Sequence, residues 1–259
     1  VFSLDGRYMR AFRWQAPLGQ TVPYASACNA TGEFVHVGWS DPTAARPGIY
    51  RSRVAVWRSR GDSGAPRMMD SVAGSERWGM VTIGQFVGSR PLPLGKQPVV
   101  AIGRSRVLVG SADRFMVRSF DLAGRSLTAL ERPSTPIAVA KSDIREEIER
   151  AVANAGESRR DRVEAGYAEI TFPSTLPAYT QLLVDSEEYL WVRPFARGPG
   201  ETVQWSVFDP SGAFVGEVAV PKHLEVFEIG QSYVLGRFMD PEEAIPQVRL
   251  YRLARRPAR

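Results

Sequence analysis

The sequence contains very few of the side chains that form disulfides and zinc sites. Cys28 is the only cysteine in 259 residues, so the chain cannot close a disulfide within itself or build a thiolate-rich metal site. A lone cysteine most often serves as a small buried apolar residue, and we expect this of Cys28. The two histidines, His36 and His223, stand too far apart to form a short zinc-binding motif. We expect His36 to be a partly buried strand residue and His223 to lie in an exposed loop.

Long apolar runs are absent as well. No stretch approaches the roughly 18 apolar residues that a transmembrane helix needs, so we predict no membrane span in this sequence. The first residue is Val1 rather than methionine, and Val1–Leu4 reads as a strand, so we expect the chain to be cut from a longer one. An export signal would then lie outside the sequence.

Lysine is scarce too, because arginine supplies all but three of the 33 basic residues. The net charge of +5 is compatible with a nucleic-acid partner. The arginines are scattered, however, with local clusters only at 159–162 and at the chain end, and a charged terminus is usually solvated. We therefore predict no nucleic-acid binding.

What the sequence does contain is a repeated pattern. Ile102–Leu108 recurs as Ile229–Leu235, with the pattern Ile-Gly-x-Ser-x-Val-Leu in both. Phe120–Gly124 recurs as Phe208–Gly212 and resembles Phe2–Gly6, each ending in a glycine suited to a hairpin turn. Short strands joined by tight turns with a loose period are typical of a repeat architecture.

Strand patterns rich in β-branched and aromatic residues group into sets of four. Each set spans about 35 to 45 residues, which is the size of a propeller blade. We predict an all-β fold, a single β-propeller domain over 1–259 built from four-stranded antiparallel blades, with about five blades present of an expected six. The clearest sets are Val99–Ile102, Arg106–Gly110, Phe115–Phe120 and Ser126–Leu130, and then Tyr179–Val184, Tyr189–Val192, Val203–Phe208 and Phe214–Val218. A looser set runs from Tyr24 to Met69, three strands lie between Leu224 and Arg252, and Val1–Leu4 and Tyr8–Phe12 form an incomplete first blade.

A helical insertion at 134–175 interrupts this pattern. Ile144, Ile148 and Val152 recur every four residues and form an apolar stripe. Asp143 resembles the first residue of a capping box, and Ser142 is an equally good cap. Because the insertion follows an outer strand, we expect it on the same face as the loops after the second strands. It either covers apolar edges there or forms a lid beside a binding funnel.

Six motifs carry a resemblance to a known family: Leu176–Tyr179, Leu182–Asp185, Leu190–Arg193, Trp205–Gly212, Ile229–Gly236 and Val248–Leu253. They resemble a bacterial family of six-bladed β-propellers of unknown function, similar in style to NHL-type propellers. The resemblance covers most of the chain and is strongest after residue 170. The resemblance implies an exported or envelope-associated protein, periplasmic or secreted, and carries over no catalytic residues. One residue departs from the family pattern: Glu188 stands where the turn after Asp185 usually has glycine.

The segment Gly61–Pro66 resembles the nucleophile loop of trypsin-like serine proteases. A catalytic triad needs a histidine base, and the only upstream histidine, His36, is too close to Ser63 for a complete barrel to lie between them. Glycine and serine around an aspartate also make an ordinary hairpin turn, which is the interpretation we favour.

Three aspartates follow the second strand of their sets: Asp41, Asp113 and Asp240. Carboxylates gathered around a propeller funnel can bind a hard cation such as Ca²⁺, as in lactonase-type propellers. The other interpretation is turn chemistry, because Asp41 and Asp240 each precede a proline.

Arginines and aromatic residues fall near the same loops and suggest a site for an anionic ligand, a sugar or a peptide. The other interpretation is that arginine stems pack on apolar surface. We expect a non-catalytic binding or scaffold module of the bacterial cell envelope that presents a funnel face to a protein, peptide or glycan. A metal-assisted hydrolase of the lactonase type is the alternative. The candidate ligand-binding residues are Trp39, Arg193, Phe195, Arg197 and Arg237.

Overall fold

A computed structural model describes residues 5, 7–9, 25–38, 45–61, 65–82, 85–198, 200–240 and 245–255. This part of the chain is mostly β, and all strand pairs are antiparallel. The strands are β1 (Ala27–Cys28), β2 (Glu33–Val37), β3 (Gly48–Tyr50), β4 (Arg53–Arg60), β5 (Arg67–Ala73), β6 (Arg77–Thr82), β7 (Gln85–Pro91), β8 (Val99–Ile102), β9 (Arg106–Gly110), β10 (Met116–Asp121), β11 (Leu130–Glu131), β12 (Tyr179–Val184), β13 (Leu190–Pro194), β14 (Thr202–Phe208), β15 (Phe214–Pro221), β16 (Leu224–Ile229), β17 (Tyr233–Met239) and β18 (Pro246–Arg252).

Four sheets follow one another along the chain, and each adds its strands in sequence order. Sheet A is β1-β2-β4-β5, sheet B is β8 to β11, sheet C is β12 to β15, and sheet D is β16-β17-β18. The first strands of neighbouring sheets lie side by side, so β1, β8, β12 and β16 form an inner row. The all-β, propeller-like prediction is confirmed at this level. The described residues do not close a ring, so the number of six blades stays a prediction.

A fifth sheet departs from the predicted sets of four. Sheet E has the order β3-β6-β7, so it joins the loop between β2 and β4 to the segment between β5 and β8. The sequence patterns did not identify it, because β3 has only three residues and Gly79 and Gly88 interrupt the apolar alternation of β6 and β7. Sheet D has the three strands that the sequence indicates between Leu224 and Arg252, whereas the three-stranded sheet E departs from the predicted four-stranded blades.

Three apolar clusters hold sheets A to D together, one between each neighbouring pair. Val35 and Val56 of sheet A pack with Val107 and Val109 of sheet B. Tyr179 of sheet C fills the space between sheets B and C, in the same cluster as buried Leu108, Val117 and Leu190. Trp191 and Trp205 pack in the third cluster with Leu224 and Val226 of sheet D. Burial of apolar area on both faces of a sheet is what stacks such sheets.

Two helices lie between β11 and β12, at positions inside the predicted insertion. They are α1 (Lys141–Ala155) and α2 (Arg160–Ala168), joined by a 3₁₀ turn at Glu157–Arg159. The helix starts earlier than the capping prediction placed it, because Ala140 is the cap residue and Asp143 lies in the first turn. The Asp143 carboxylate accepts a hydrogen bond from the Ala140 N–H at 2.7 Å, which supplies half of a capping box.

Several local predictions need correction or fall outside the described residues. The outer strand predicted at Ser126–Leu130 is only β11, and Ser126 makes a single bridge to Phe120. Cys28 is exposed rather than buried. Its strand, β1, is a short edge strand of sheet A and, in the described part of the chain, pairs only with β2. The segment Gly61–Pro66 joins the paired strands β4 and β5, while 62–64 are not described. Of the predicted first blade, only residues 5 and 7–9 are described.

Hairpin turns interlock along the face opposite the helices, which we call the turn face. Asn29 Nδ2 of sheet A donates to the Gly103 carbonyl of sheet B at 2.8 Å. The Glu188 carboxylate of sheet C accepts from the backbone N–H of Arg104 at 2.6 Å and from Ser105 Oγ at 2.8 Å. Glu188, which stands where the resemblance predicts a turn glycine, therefore has a structural role.

The turn itself keeps the geometry that glycine would favour. Glu188 has φ of +68°, in the left-handed region. Gly103 explains the close approach of its carboxylate, because a Cβ at Gly103 would lie 2.6 Å from Glu188 Oε2. Gly103, the glycine of the repeat Ile102–Leu108, is thus needed for the contact between sheets B and C.

The C-terminal segment closes the same face at sheet D. Asp185 is fully buried and accepts from Trp191 Nε1 at 2.8 Å. Arg255 Nη2 donates to Asp185 Oδ2 at 2.7 Å, and Arg255 Nη1 lies 2.9 Å from Glu187 Oε2. A segment beyond β18 is thereby bound to the first turn of sheet C.

Candidate functional site

The inner row of strands lines an open cavity. We call it the central groove; its volume is about 770 Å³. The side walls come from β1, β8, β12 and β16, represented by Ala27, Val99, Thr180 and Phe227. The groove is open because these strands stand next to each other and their central-facing residues have no further strand against them in the described structure.

The segment between β5 and β8 contributes one end of the groove through Ser75, Arg77 and Gln97. This end is held by the insertion, since Lys96 Nζ donates to the Thr175 carbonyl at 3.2 Å and lies 3.4 Å from Glu76 Oε1. Sheet E and the helices are also joined, because the Arg90 guanidinium donates to the Gly166 carbonyl of α2. The helical insertion and sheet E therefore meet at the same end of the groove.

The groove lining is more apolar than polar and is almost uncharged. Its hydroxyl and amide side chains include Thr180 and Gln181 from β12, and Phe227 exposes 54% of its surface. Among the described lining residues, Arg77 is the only one with a full charge, and its Nε and Nη2 donate to Ser89 at 3.0 and 2.9 Å. No carboxylate or imidazole belongs to this lining, so the described groove offers hydrogen bonds and apolar contact rather than acid–base groups.

The groove contains one side chain, Cys28, that a thiol reagent can label. The exposed thiol belongs to the lining on β1. As the only cysteine of the chain, it reports on this surface without interference from another thiol.

The structure places Arg197 against the helical insertion. Its Nε donates to Asp143 Oδ1 at 2.8 Å, and its Nη2 donates to Asp143 Oδ2 at 2.5 Å and to the Ala138 carbonyl at 2.7 Å. Burial alone would raise the pKa of Asp143, but the hydrogen bonds from Arg197 and Ala140 and the charge of Arg197 hold it below its usual value. Arg197 thus fastens the loop after β13 to α1.

Arg193 and Arg237 come together around Glu225. Arg237 Nη2 lies 2.5 Å from Glu225 Oε2, while Arg193 Nη2 donates to the Lys222 carbonyl at 3.1 Å. Burial lowers the pKa of Arg193, and the charge of Glu225 acts in the opposite direction. Phe195 is half-buried nearby in the chain, and Trp39 lies outside the described residues. None of the four described candidates belongs to the lining of the central groove.

The three candidate metal ligands are not seen together. Asp113 Oδ1 lies 2.5 Å from Arg51 Nη1, so a cation already faces this carboxylate. Asp240 follows β17, and Asp41 is not described. In the described ranges no group of three or more histidine, cysteine or acidic side chains is placed to hold a metal ion. The Ca²⁺ hypothesis stays a prediction.

Sequence reasoning did not single out the groove residues Gln97, Thr180, Gln181 and Phe227. The available signal was the alternation of β12, in which exposed Thr180 follows buried Tyr179. That pattern identifies an exposed position, but it does not tell which neighbouring strands share the same opening.

Comparisons with known proteins leave the family open. No protein-family model matches the chain, and no curated protein sequence matches it. Among solved structures, similarity is found to HIRA(644-1017), with 10% identity and a TM-score of 0.36, over 92% of this chain and 57% of that one. Kuenenia stuttgartiensis hydrazine synthase gives 9% identity and a TM-score of 0.28, over 90% of this chain and 61% of that one.

This chain thus spans about three fifths of the length of either structure, and TM-scores below 0.5 carry no argument about function. Within the described residues, no helix is both long and apolar enough to span a membrane.

Proposed function

We propose that the protein is a non-catalytic binding module whose central groove takes up an uncharged, extended peptide or glycan segment. The observation that carries the proposal is the groove lining, which combines hydroxyl and amide groups with an exposed phenyl ring and has no described carboxylate or imidazole. A volume of about 770 Å³ falls within the range of small-ligand sites.

The chemistry of the lining favours a neutral polar chain over an ionic ligand. Thr180 and Gln97 offer donors and acceptors of the kind that main-chain amides and sugar hydroxyls need. Phe227 offers an apolar face to a side chain or a sugar ring. The only charged lining group in the described residues, Arg77, directs its Nε and Nη2 donors to Ser89, so fewer of its N–H groups remain for a ligand.

We further propose that the four consecutive sheets are blades of a six-bladed, NHL-like propeller of the bacterial cell envelope, periplasmic or secreted. The order of antiparallel sheets around the inner row supports this proposal. An export signal in the full-length reading frame is the expected result, and a complete reading frame without one would contradict the envelope assignment.

Cys28 provides the test of groove binding. The rate of its reaction with a thiol reagent is measured with and without malto-, cello- and chitohexaose and a library of uncharged octapeptides. We expect at least one of these probes to slow the reaction and to show saturable binding by calorimetry.

A matched pair of variants locates the effect. Phe227→Ala removes an exposed ring from the groove, whereas Phe214→Ala removes a ring that is 50% exposed on β15, outside the groove. Binding is expected to weaken only in Phe227→Ala. If no probe protects Cys28, or if both variants weaken binding equally, the groove is not the binding site.

A further inference from the structure

A second cavity lies between sheets B and C on the turn face, away from the central groove. We call it the turn pocket; its volume is about 500 Å³. Leu108, Leu130 and Leu190 supply buried apolar surface. Arg106 and Ser119 add polar groups to the same lining.

Strand register shows that these polar side chains point between the sheets. Ser119 of β10 is paired with Leu108 of β9, and directly opposite residues in antiparallel strands share one face. Arg106 lies two residues before Leu108 and so shares that face as well. Leu108 packs in the cluster that joins sheets B and C. Arg106 and Ser119 therefore face sheet C.

Both polar groups have hydrogen-bonding capacity that no described residue of the protein uses. Ser119 is only 4% exposed, and its Oγ has no partner. Arg106 Nη1 and Nη2 donate to the carbonyls of Pro210 at 2.8 Å and Glu188 at 2.5 Å, but Nε has no partner. A buried hydroxyl without a hydrogen-bond partner is unusual in a folded protein, and a ligand or an ordered water would satisfy it.

The positive charge of Arg106 also lacks a direct counter-ion among the described residues. Its two bonded acceptors are neutral carbonyl groups. Three carboxylates also belong to the pocket lining, and each is bound within the protein: Glu188 to the Arg104 N–H, Glu187 to Arg255 and Asp209 to Ser211. Burial lowers the pKa of Arg106, although the charges of Glu188, Asp209 and Asp185 act in the opposite direction. A ligand anion would relieve this desolvation.

We propose that the turn pocket binds an apolar monocarboxylate, with the carboxylate accepting from Arg106 Nε and Ser119 Oγ and the hydrocarbon part lying on the leucines. Both donor atoms are buried, so binding requires a side-chain rotamer change that exposes them to the pocket. The proposal is independent of the groove, because none of these residues belongs to the groove lining.

Calorimetric titration of the full chain with octanoate, octan-1-ol and octylammonium tests the ligand chemistry. Octanoate is expected to bind with saturation and at least tenfold more tightly than octan-1-ol, since hydrogen bonds to a charged group are the stronger ones. Octylammonium is expected not to bind. The absence of octanoate binding, or equal affinity for octanoate and octan-1-ol, would overturn the proposal.

The variant Ser119→Ala separates a ligand contact from a structural role. Removing a hydroxyl that has no partner should leave the thermal midpoint unchanged or higher, while octanoate binding weakens by about tenfold. Ser52→Ala is the matched control, because Ser52 is also buried with an unpartnered Oγ but lies outside the pocket. Equal octanoate affinity in wild type and Ser119→Ala would refute the assignment, as would a lowered midpoint with unchanged affinity.

Discussion

Glu188 makes two opposing contributions to the free energy of unfolding. Its backbone conformation destabilises the turn, and its carboxylate stabilises the contact between sheets B and C. Its backbone is left-handed, at φ +68°, which costs a non-glycine residue about 1 kcal/mol relative to glycine. Its carboxylate accepts two short hydrogen bonds, from the Arg104 N–H at 2.6 Å and from Ser105 Oγ at 2.8 Å. At a partly exposed site we assign these together about 2 kcal/mol.

The variants Glu188→Gly and Glu188→Ala separate the two effects. Both lose the hydrogen bonds, but only glycine relieves the backbone strain. We expect the free energy of unfolding to fall by about 1 kcal/mol in Glu188→Gly and by about 2 kcal/mol in Glu188→Ala. Urea denaturation at constant m-value measures both differences.

Gly103 adds an independent check on the same contact. Gly103→Ala places a Cβ 2.6 Å from Glu188 Oε2, so it is expected to destabilise the wild type more than the Glu188→Gly variant. Two results would refute the reasoning. A Glu188→Gly protein more stable than wild type would mean that the anchor contributes nothing, and equal stability of the glycine and alanine variants would mean that the turn is not strained.

Three further predictions concern the core, pH and metal binding. Gly110→Ala puts a Cβ onto the Tyr179 hydroxyl and should lower the urea midpoint by the equivalent of about 1–3 kcal/mol, with part of the loss recovered by Tyr179→Phe; no recovery would contradict the close approach. Burial lowers the pKa of His36 from 6.5 to about 4, so stability present above pH 6.5 is lost as the pH falls towards 4, by about 2–3 kcal/mol. His36→Gln should flatten this slope in urea titrations, whereas the exposed His223→Gln should keep it. The hydrolase alternative predicts that Ca²⁺ raises the melting midpoint of the wild type and that Asp113→Ala abolishes the rise. Because Arg51 already faces Asp113, we expect Ca²⁺ to leave the melting midpoint unchanged both in the wild type and in Asp113→Ala.

The sequence predicts the strands best where a sheet has the same kind of neighbour on both sides. β9 and β14 have apolar residues that face neighbouring sheets, and their bounds lie within a residue of the prediction. The sequence patterns did not predict sheet E, because its three strands come from two distant segments. Pairing between distant segments leaves no local pattern. The outer strand predicted at Ser126–Leu130 overlaps β11 only at Leu130, because only Leu130 and Glu131 pair with β10.

The candidate site was harder to predict than the fold. Arg197 and Arg237 have the chemistry of ligand-binding residues, but each has an acidic partner elsewhere in the chain, Asp143 and Glu225 respectively. Such partners depend on long-range contacts that spacing along the chain does not show. Thr180 and Phe227 line the groove because β8, β12 and β16 are neighbours, which only the arrangement of sheets determines.

The ion pair of Arg255 has a consequence for proteolysis. Loss of the Arg255 side chain leaves the fully buried Asp185 carboxylate, beneath the first turn of sheet C, without its cation. An uncompensated buried carboxylate destabilises a fold by several kcal/mol, and Trp191 shares this carboxylate through its indole N–H. Arg255→Ala should therefore weaken a sheet that lies 70 positions earlier in the chain, and the more frequent opening of this sheet should make the variant more susceptible to proteolysis than the wild type.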